Sequence, residues 1–586
     1  MGESAAEARL TDAARPKGGT EGTTLLLRLQ HLDLSLIFFA LVALVLVLLV
    51  LNPIARLVLT SFSTADGNAF TLANYIAAYS RPRYIEALVN SLLLGVSTSA
   101  LCVILAVPIA WGVSRTDMPL KGMVRVLVLG AFVTPPYLGA IGWILLAGPN
   151  AGWLNRAVVA LLGVPHGPFN IFTFPGLAFV IAIYSFPYIF IFTAAALDLV
   201  SSELEDAASI LGAGIIRTTF RVTLPMVLPA IFGGVIVTFL EAIALFGSPA
   251  LIALPAHINV VTTQLWQFFD DPPRVEVAAA YAMPLLFVTI ALFGWQQHVM
   301  RRKGFVSLTG KGGERRMLEL GVCRWVLLGY ALLVLSLSVF LPYLTLAEAA
   351  FAKAWGQGMS LANFTLRNFT YIMFEHHTAS RSILNSVLYA GGAACLAIGL
   401  AIAIAYIAVR RVMPFARLLS FLCLAPFVIP GIVLAIGFYA AYTSPPLQLY
   451  DTAWILILAF TTRFLPIAHA NAESAVRSLN PEMEDAVRIL GGSRLTALRR
   501  VVAPLLKNGL IGAWLLVFIP ATRELSAAIF LYGPDTQTMS IVLFNMSEEG
   551  SFESLAALGI LLLVATIVIV AIGYKVVGRD FMLRKS

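Results

Sequence analysis

The sequence predicts an all-α polytopic membrane protein of about twelve transmembrane helices, arranged as two parallel six-helix repeats. Three observations predict it: long apolar runs without charge, basic residues gathered on alternate loops, and polar signatures that recur at nearly fixed offsets. Of 586 residues, 59% are hydrophobic and only 12% charged, whereas soluble domains carry about a quarter charged residues. Ser35 to Leu51, Val126 to Asn155, Gly509 to Thr522 and Ser554 to Tyr574 contain no charge at all. A bilayer core about 30 Å thick is crossed by roughly 20 residues of helix. Lipid offers an open backbone no hydrogen-bond partner, so helices are expected. Unbroken runs argue against a barrel, whose strands alternate.

In chain order, the first 22 residues are polar and rich in Gly, Ala, Thr and Glu, and 1–34 is read as a disordered cytoplasmic tail. The apolar stretch after Asp33 exceeds a signal-peptide core and is followed by further spans, so it is read as a retained first helix. Spans are expected near 35–58, 88–113, 126–147, 176–198, 227–250 and 278–298, which make the first half, 35–300. A cytoplasmic linker, 301–324, follows. The second half, 325–586, has spans near 325–347, 383–408, 418–441, 452–472, 509–531 and 555–576. With the tail inside, 29 of the 39 Lys and Arg fall on inner segments. The positive-inside rule then puts both termini in the cytoplasm of a multi-pass plasma (inner) membrane protein. The net charge of +8 thus reports topology and calls for no nucleic acid. Cys102, Cys323, Cys395 and Cys423 lie in or beside apolar runs without CxxC spacing, and read as small hydrophobes rather than as disulfides or metal ligands.

The halves repeat one another. Phe70-Thr71-Leu72-Ala73-Asn74-Tyr75 recurs as Phe364-Thr365-Leu366-Arg367-Asn368-Phe369. Asn90-Ser91, Ala110-Trp111 with Arg115, and Ile141-Gly142-Trp143 recur 295 residues later as Asn385-Ser386, Ala405-Tyr406 with Arg410, and Ile436-Gly437-Phe438. From Asp206 onward the offset is 279, so the first half holds about 16 extra residues, expected in the outer loop Gly148 to Phe174. An even number of spans per half makes the repeats parallel. The Gly-rich linker lacks the spacing and the preceding strand of a phosphate-binding loop, which excludes nucleotide binding there.

Two inner segments share one grammar. Glu205-Asp206-Ala207-Ala208-Ser209-Ile210-Leu211-Gly212 leads through Arg217 and Arg221 to Leu224-Pro225. Glu484-Asp485-Ala486-Val487-Arg488-Ile489-Leu490-Gly491 leads through Arg494, Arg499 and Arg500 to Ala503-Pro504. Ser201-Ser202 and Asn480-Pro481, with acids following, are helix starts. Alanines leave a smooth face, Gly212 and Gly491 end the helix, and Pro225 and Pro504 are expected to restart it into the next span.

This pattern resembles the "EAA" loop of type I ABC importer permeases: Glu-Ala-Ala, three residues, Gly, nine residues, then Ile-x-Leu-Pro. Asp206 and Asp485 stand for the family's Glu, Val487 for the second Ala and Ala503 for Leu. The resemblance covers nearly the whole chain and implies the fold of those permeases. It also implies two coupling loops, Glu205, Asp206, Ala207, Ala208, Gly212, Leu224 and Pro225 in one, Glu484, Asp485, Ala486, Val487, Gly491 and Pro504 in the other. Each would seat in one of two copies of a separate ABC ATPase, which binds the ATP and Mg; this chain would carry no cofactor and no enzyme site. An extracytoplasmic binding protein would deliver cargo for alternating access.

The fused two-half form resembles the ferric iron permease branch. Gly148-Pro149-Asn150 with Trp153-Leu154-Asn155, Phe239-Leu240-Glu241-Ala242 with Phe246-Gly247-Ser248-Pro249, Arg523-Glu524-Leu525-Ser526, Leu531-Tyr532-Gly533-Pro534 and Glu549-Gly550-Ser551-Phe552 carry that likeness. Ferric iron is the cargo this implies; thiamine, aminoethylphosphonate or a polyamine is the alternative. Leu245 stands where the branch often has Asp, which weakens direct metal contact. Glu241, Arg463, Arg523 and Glu524 are charges inside spans, costly enough to need a partner or a watery path. They line the translocation route, or they are interhelical ion pairs such as Glu524 with Arg463. His469 reads as a core histidine, and Pro135, Pro136, Pro426 and Pro430 are expected to bend their spans. A secondary transporter without an ATPase would also have repeated halves, but would need coupling carboxylates at the midplane. A membrane enzyme would need a nucleophile or metal cluster, and no HExxH is present.

Overall fold

The computed structural model describes residues 34–67, 69–200, 203–269, 272–302, 317–358 and 360–577. The tail before 34, linker residues 303–316, the Ser201-Ser202 start signal and Asp270-Asp271 lie outside the described residues. Among those described, the backbone is helices and turns with three isolated bridges.

Among the described residues nine helices are long and apolar enough to cross a membrane, and three bent pairs, each taken as one span, bring the number to twelve, six in each half. In the first half these are α1 (Ile37–Ser61), α2 (Pro82–Arg115), the pair α3 (Lys121–Val133) and α4 (Pro136–Ala147), and α5 (Phe174–Leu199). A short α6 (Glu203–Ile210) precedes α7 (Ile215–Ala244) and α8 (Val275–His298). In the second half, α9 (Cys323–Ala350), α10 (His377–Val409), the pair α11 (Ala416–Phe427) and α12 (Gly431–Tyr442), and α13 (Ala453–Arg477) repeat the order. The short α14 (Glu482–Ile489) leads to the pair α15 (Arg494–Leu505) and α16 (Gly509–Thr522), then α17 (Phe552–Ile572). Burial grades them: the apolar stretch of α5 is 78% buried, that of α1 only 33%. The remainder of α1 shows Ile37, Leu41, Leu44 and Leu51 outward, as a lipid-facing helix must.

The third span of each half is broken rather than gently bent. Thr134 and Pro135 are both extended (ψ 127° and 128°), as residues preceding proline are. Pro136 then starts α4 where its missing N–H costs nothing, and the two segments meet at 97°. Pro430 (ψ 141°) does the same for α11 and α12, at 113°. The fifth spans were expected at 227–250 and 509–531, but α7 stops at Ala244 and α16 at Thr522. Leu245 and Arg523 are equivalent positions of the repeat, so both halves break alike. Pro225 does not restart its helix: α7 already runs from Ile215. A π turn, Thr219–Thr223, absorbs the missing donor, with Leu224 N–H reaching Thr219 O. Only in the second half does the chain bend after the proline, by 79°. The extra outer segment is more than a loop. It contains a ten-residue helix, Trp153–Leu162, closed by left-handed Gly163. Buried Asn155 ties it down, donating to Gly148 O and Phe169 O and accepting from Phe169 N–H.

The first span of each half packs on the other half. α1 lies against α12: Tyr442 Oη donates to Leu48 O (2.7 Å) and Thr462 Oγ1 to Leu49 O (3.3 Å). α9 lies against α4: Thr345 Oγ1 donates to Gly142 O (3.4 Å), and the hydroxyls of Thr134 and Tyr343 meet. Two glycines at equivalent repeat positions permit this approach. A Cβ on Gly142 would stand 2.8 Å from Pro342, and one on Gly437 2.7 Å from Pro53 O.

Gly142→Leu and Gly437→Leu should each destabilise the bundle by ~1–3 kcal/mol through overpacking, read as a lowered Tm of the purified chain. Gly130→Leu, where a Cβ meets nothing within 4 Å, should leave Tm unchanged; equal effects at all three would refute the close-approach account.

Candidate functional site: two inner loops and a charged cavity

α6 and α14 sit at equivalent points of the repeat. Asn480 starts α14, its Oδ1 accepting from Glu482 N–H (3.1 Å). Both helices end identically: Gly212 and Gly491 each adopt φ +80°, a left-handed conformation that favours glycine. Ala213 N–H reaches back to Ala208 O, and Gly492 N–H to Val487 O, both 2.9 Å. The chain reversal leaves an apolar tip in water: Ile210 and Leu211 are 86% and 87% exposed, Ile489 and Leu490 86% and 87%. Ala207, Ala486 and Asp485 are exposed, whereas Asp206, Ala208 and Val487 are half-buried. Leu224, Pro225 and Pro504 lie beyond the tips in α7 and α15.

Glu205 and Glu484 face inward. Each is a buried carboxylate at the neck of its loop, paired with the arginine that ends or follows the second span of its half. Arg115 lies 3.7 Å from Glu205, both almost fully buried, and Arg115 also donates to Val200 O (2.6 Å). Arg410 lies 2.7 Å from Glu484 and donates to Leu479 O (3.1 Å). Val200 and Leu479 are themselves equivalent positions, so the same clamp is built twice. Thr223 Oγ1 adds a hydrogen bond to Glu205 (2.6 Å), binding the start of α7 to the same carboxylate. Arg115 and Arg410 were visible as repeat matches, but only the fold shows what they hold.

The neck of the first loop is also tied to the linker. Leu318 pairs with Thr116 in a parallel bridge, Leu320 N–H donates to Asp117 Oδ1 (2.9 Å) and Arg324 stands 3.3 Å away. The Leu320 N–H, with Arg324 beside it, holds the Asp117 carboxyl below the usual carboxylate range.

The four intramembrane charges named from the sequence converge. Glu241, Arg463, Arg523 and Glu524 line one cavity of about 270 Å³ where the broken third and fifth spans of both halves meet. Arg463 Nε donates to Glu524 Oε2 (3.0 Å), whose Oε1 accepts from Ala527 N–H (3.0 Å). Gly431 makes room for that guanidinium; a Cβ there would come within 2.5 Å of it. Arg523 donates to Phe132 O and Val133 O, the last carbonyls of α3. A cation at a helix C-terminus is favourable, so a second-half residue caps a first-half helix across the interface. Glu241 accepts from Tyr188 Oη (3.3 Å). Lining and pairing therefore coexist in the same residues. On the side away from the inner loops the axis is packed with aromatics: Phe246 against Phe544 (ring centroids 5.7 Å), and Trp266 against its repeat equivalent Phe544 (5.9 Å). His469 is buried against Ser420 (3.1 Å), and no group of three or more metal-ligating side chains occurs among the described residues.

Glu484→Gln should leave the partly buried Arg410 without its anion, a defect between the ~1 kcal/mol of an exposed pair and the ~3–5 kcal/mol of a fully buried one. Hydrogen exchange in Glu482–Ile489 should then rise well above that of wild type. The paired change Arg410→Met with Glu484→Met removes both charges and should restore much of the protection. Equal exchange in Glu484→Gln and wild type would contradict the clamp.

The profile of the family described as "binding-protein-dependent transport system inner membrane component" matches residues 75–305 and 395–582. A ferric transport system permease protein, FbpB, of Actinobacillus pleuropneumoniae is 25% identical over 535 residues, covering 89% of this chain and 75% of that one. A putative 2-aminoethylphosphonate transport system permease protein, PhnV, of Salmonella paratyphi A is 26% identical over 231 residues, 39% of this chain and 86% of that one. A crystal structure of a bacterial ABC transporter importing the acidic polysaccharide alginate aligns with 48% of this chain and 96% of its own at TM-score 0.37 and 16% identity. With the family profile matching both halves over well more than half of the chain, the protein belongs to the binding-protein-dependent transport system inner membrane components, the permeases of ABC importers.

Proposed function

We propose that this chain forms the membrane path of an importer that carries ferric iron, in two halves bounded near 35–300 and 325–586. Two copies of a separate ATPase, which supplies the ATP and Mg site, seat on the α6 and α14 tips. Cargo arrives from an extracytoplasmic binding protein, and both termini lie in the cytoplasm, the side on which 29 of 39 basic residues fall. The observation that carries the coupling role is the matched pair of exposed apolar tips, each on a helix locked at its neck by a buried ion pair. Exposed apolar groups on an otherwise polar loop mark a partner surface, and a locked neck transmits a push on the tip into spans two and five.

The convergence of Glu241, Arg463, Arg523 and Glu524 on one cavity at the interface supports a translocation role for those four. A cavity capped by aromatics outside and flanked by breaks in both halves suits alternating access. The long alignment with the ferric permease supports iron as cargo. The two guanidiniums favour a second reading, an anionic or zwitterionic solute such as 2-aminoethylphosphonate, which the shorter alignment also supports.

Uptake of labelled ferric iron and of 2-aminoethylphosphonate in a deletion strain complemented with this chain decides between them: ferric uptake, abolished by Arg523→Ala, is the expected result. Gly212→Leu with Gly491→Leu forces left-handed backbone on branched residues at ~1–2 kcal/mol each and reorients both tips. Uptake should fall at least about tenfold, the equivalent of 1.4 kcal/mol, while the chain still reaches the membrane. Normal uptake in that double variant would sink the coupling role.

A further inference from the structure

The two halves differ in one large feature that the transport reading does not use. Near the first loop, an apolar groove of about 1340 Å³ opens between α2, α5, the start of α7 and the start of α9. That exceeds the ~300–1,000 Å³ of pockets for drug-sized ligands. Its walls are Val107, Trp111, Leu197, Val227, Leu327 and their neighbours, while Arg217 and Arg221 line it at the inner-loop end of α7. Both arginines are exposed; Glu319 is the one acid in the lining.

In the second half the corresponding space is filled by protein. Phe39 of α1, fully buried, stacks on Tyr406 (ring centroids 5.8 Å), and Tyr406 is the repeat equivalent of Trp111. α9 takes the place of α1 in the first half, yet puts no aromatic ring on Trp111. Leu328, equivalent to Phe39 by the offset of 289 that relates Pro342 to Pro53, is buried but brings no ring. Tyr406 is thus covered by the ring of Phe39, whereas its equivalent Trp111 stands in the wall of an open groove.

We propose that this groove binds an anionic phospholipid, its acyl chains along Val107, Trp111 and Leu327 and its headgroup on Arg217 and Arg221. The apolar length matches hydrocarbon, and the two arginines at one end match an anionic headgroup at the membrane surface. Near a membrane surface each basic side chain contributes enough that two arginines, opposed by Glu319, should favour an anionic over a zwitterionic lipid on the order of tenfold.

Trp111, one of nine tryptophans, reports on the groove. The full chain, purified in detergent and titrated with dibrominated phosphatidylglycerol or dibrominated phosphatidylcholine, gives a Trp111 signal as the difference from Trp111→Phe. Phosphatidylglycerol should quench it at about tenfold lower lipid concentration. Arg217→Gln with Arg221→Gln, both at exposed positions that do not threaten folding, should abolish that difference while quenching by either lipid persists. Equal quenching by the two lipids in wild type would mean ordinary lipid contact and overturn the proposal. No quenching by either would mean that protein, such as linker residues 303–316, covers the groove, and would overturn it too.

Discussion

A buried arginine–glutamate pair, built once in each half, is the constraint on which the inner side of the molecule depends. Arg115 and Glu205 are withdrawn from water beside apolar spans, and Glu484 is buried against a partly exposed Arg410; a single charge there would be more costly than the pair. Each arginine spends further donors on the carbonyl that closes the preceding span. The end of span two, the exit of span four and the loop helix therefore meet at one electrostatic knot. The loop cannot swing independently of the bundle, as the proposed coupling role requires.

The interior is organised by a different rule, namely where helices stop. Lipid penalises every unpaired backbone group, so four helix breaks near one axis need compensation. The protein supplies it unequally. Arg523 caps α3 across the interface, and Glu524 receives both Arg463 and Ala527 N–H. The repeat-equivalent first-half positions are Leu245 and Phe246, which carry no charge. Backbone symmetry is retained while the charged chemistry comes mostly from the second half, with Glu241 as the first half's contribution. A symmetric scaffold thus encloses an asymmetric cavity.

Much of this was legible in the sequence, for definite reasons. Polar residues are rare in such a chain, so their recurrence at fixed offsets marked Glu205 and Glu484, and the glycines that end α6 and α14. The rarity of intramembrane charge singled out the four cavity residues, though not that pairing and lining would coincide. What stayed hidden rests on apolar contact or on backbone geometry. The packing of α1 on α12 and α9 on α4 rests on glycine against proline and on single hydroxyls donating to backbone carbonyls, which nothing in the sequence distinguishes from packing within a half. The breaks at Leu245 and Arg523 have no proline at the break itself, and α7 runs through Pro225 because a π turn can absorb a missing donor. The helix at Trp153–Leu162 was read as loop because its flanking prolines and glycines dominate the local composition.

The exchange of first spans also constrains how the protein is made. When α1 enters the membrane, the surface it will pack against, α12 with Thr462 of α13, has not yet been translated. The early helix must wait in lipid, its own apolar face its only protection, until most of the second half has been inserted. Fusion of the two halves keeps that waiting helix tethered to the partner it needs. Assembly becomes an intramolecular search along one chain rather than an encounter between two separately synthesised subunits.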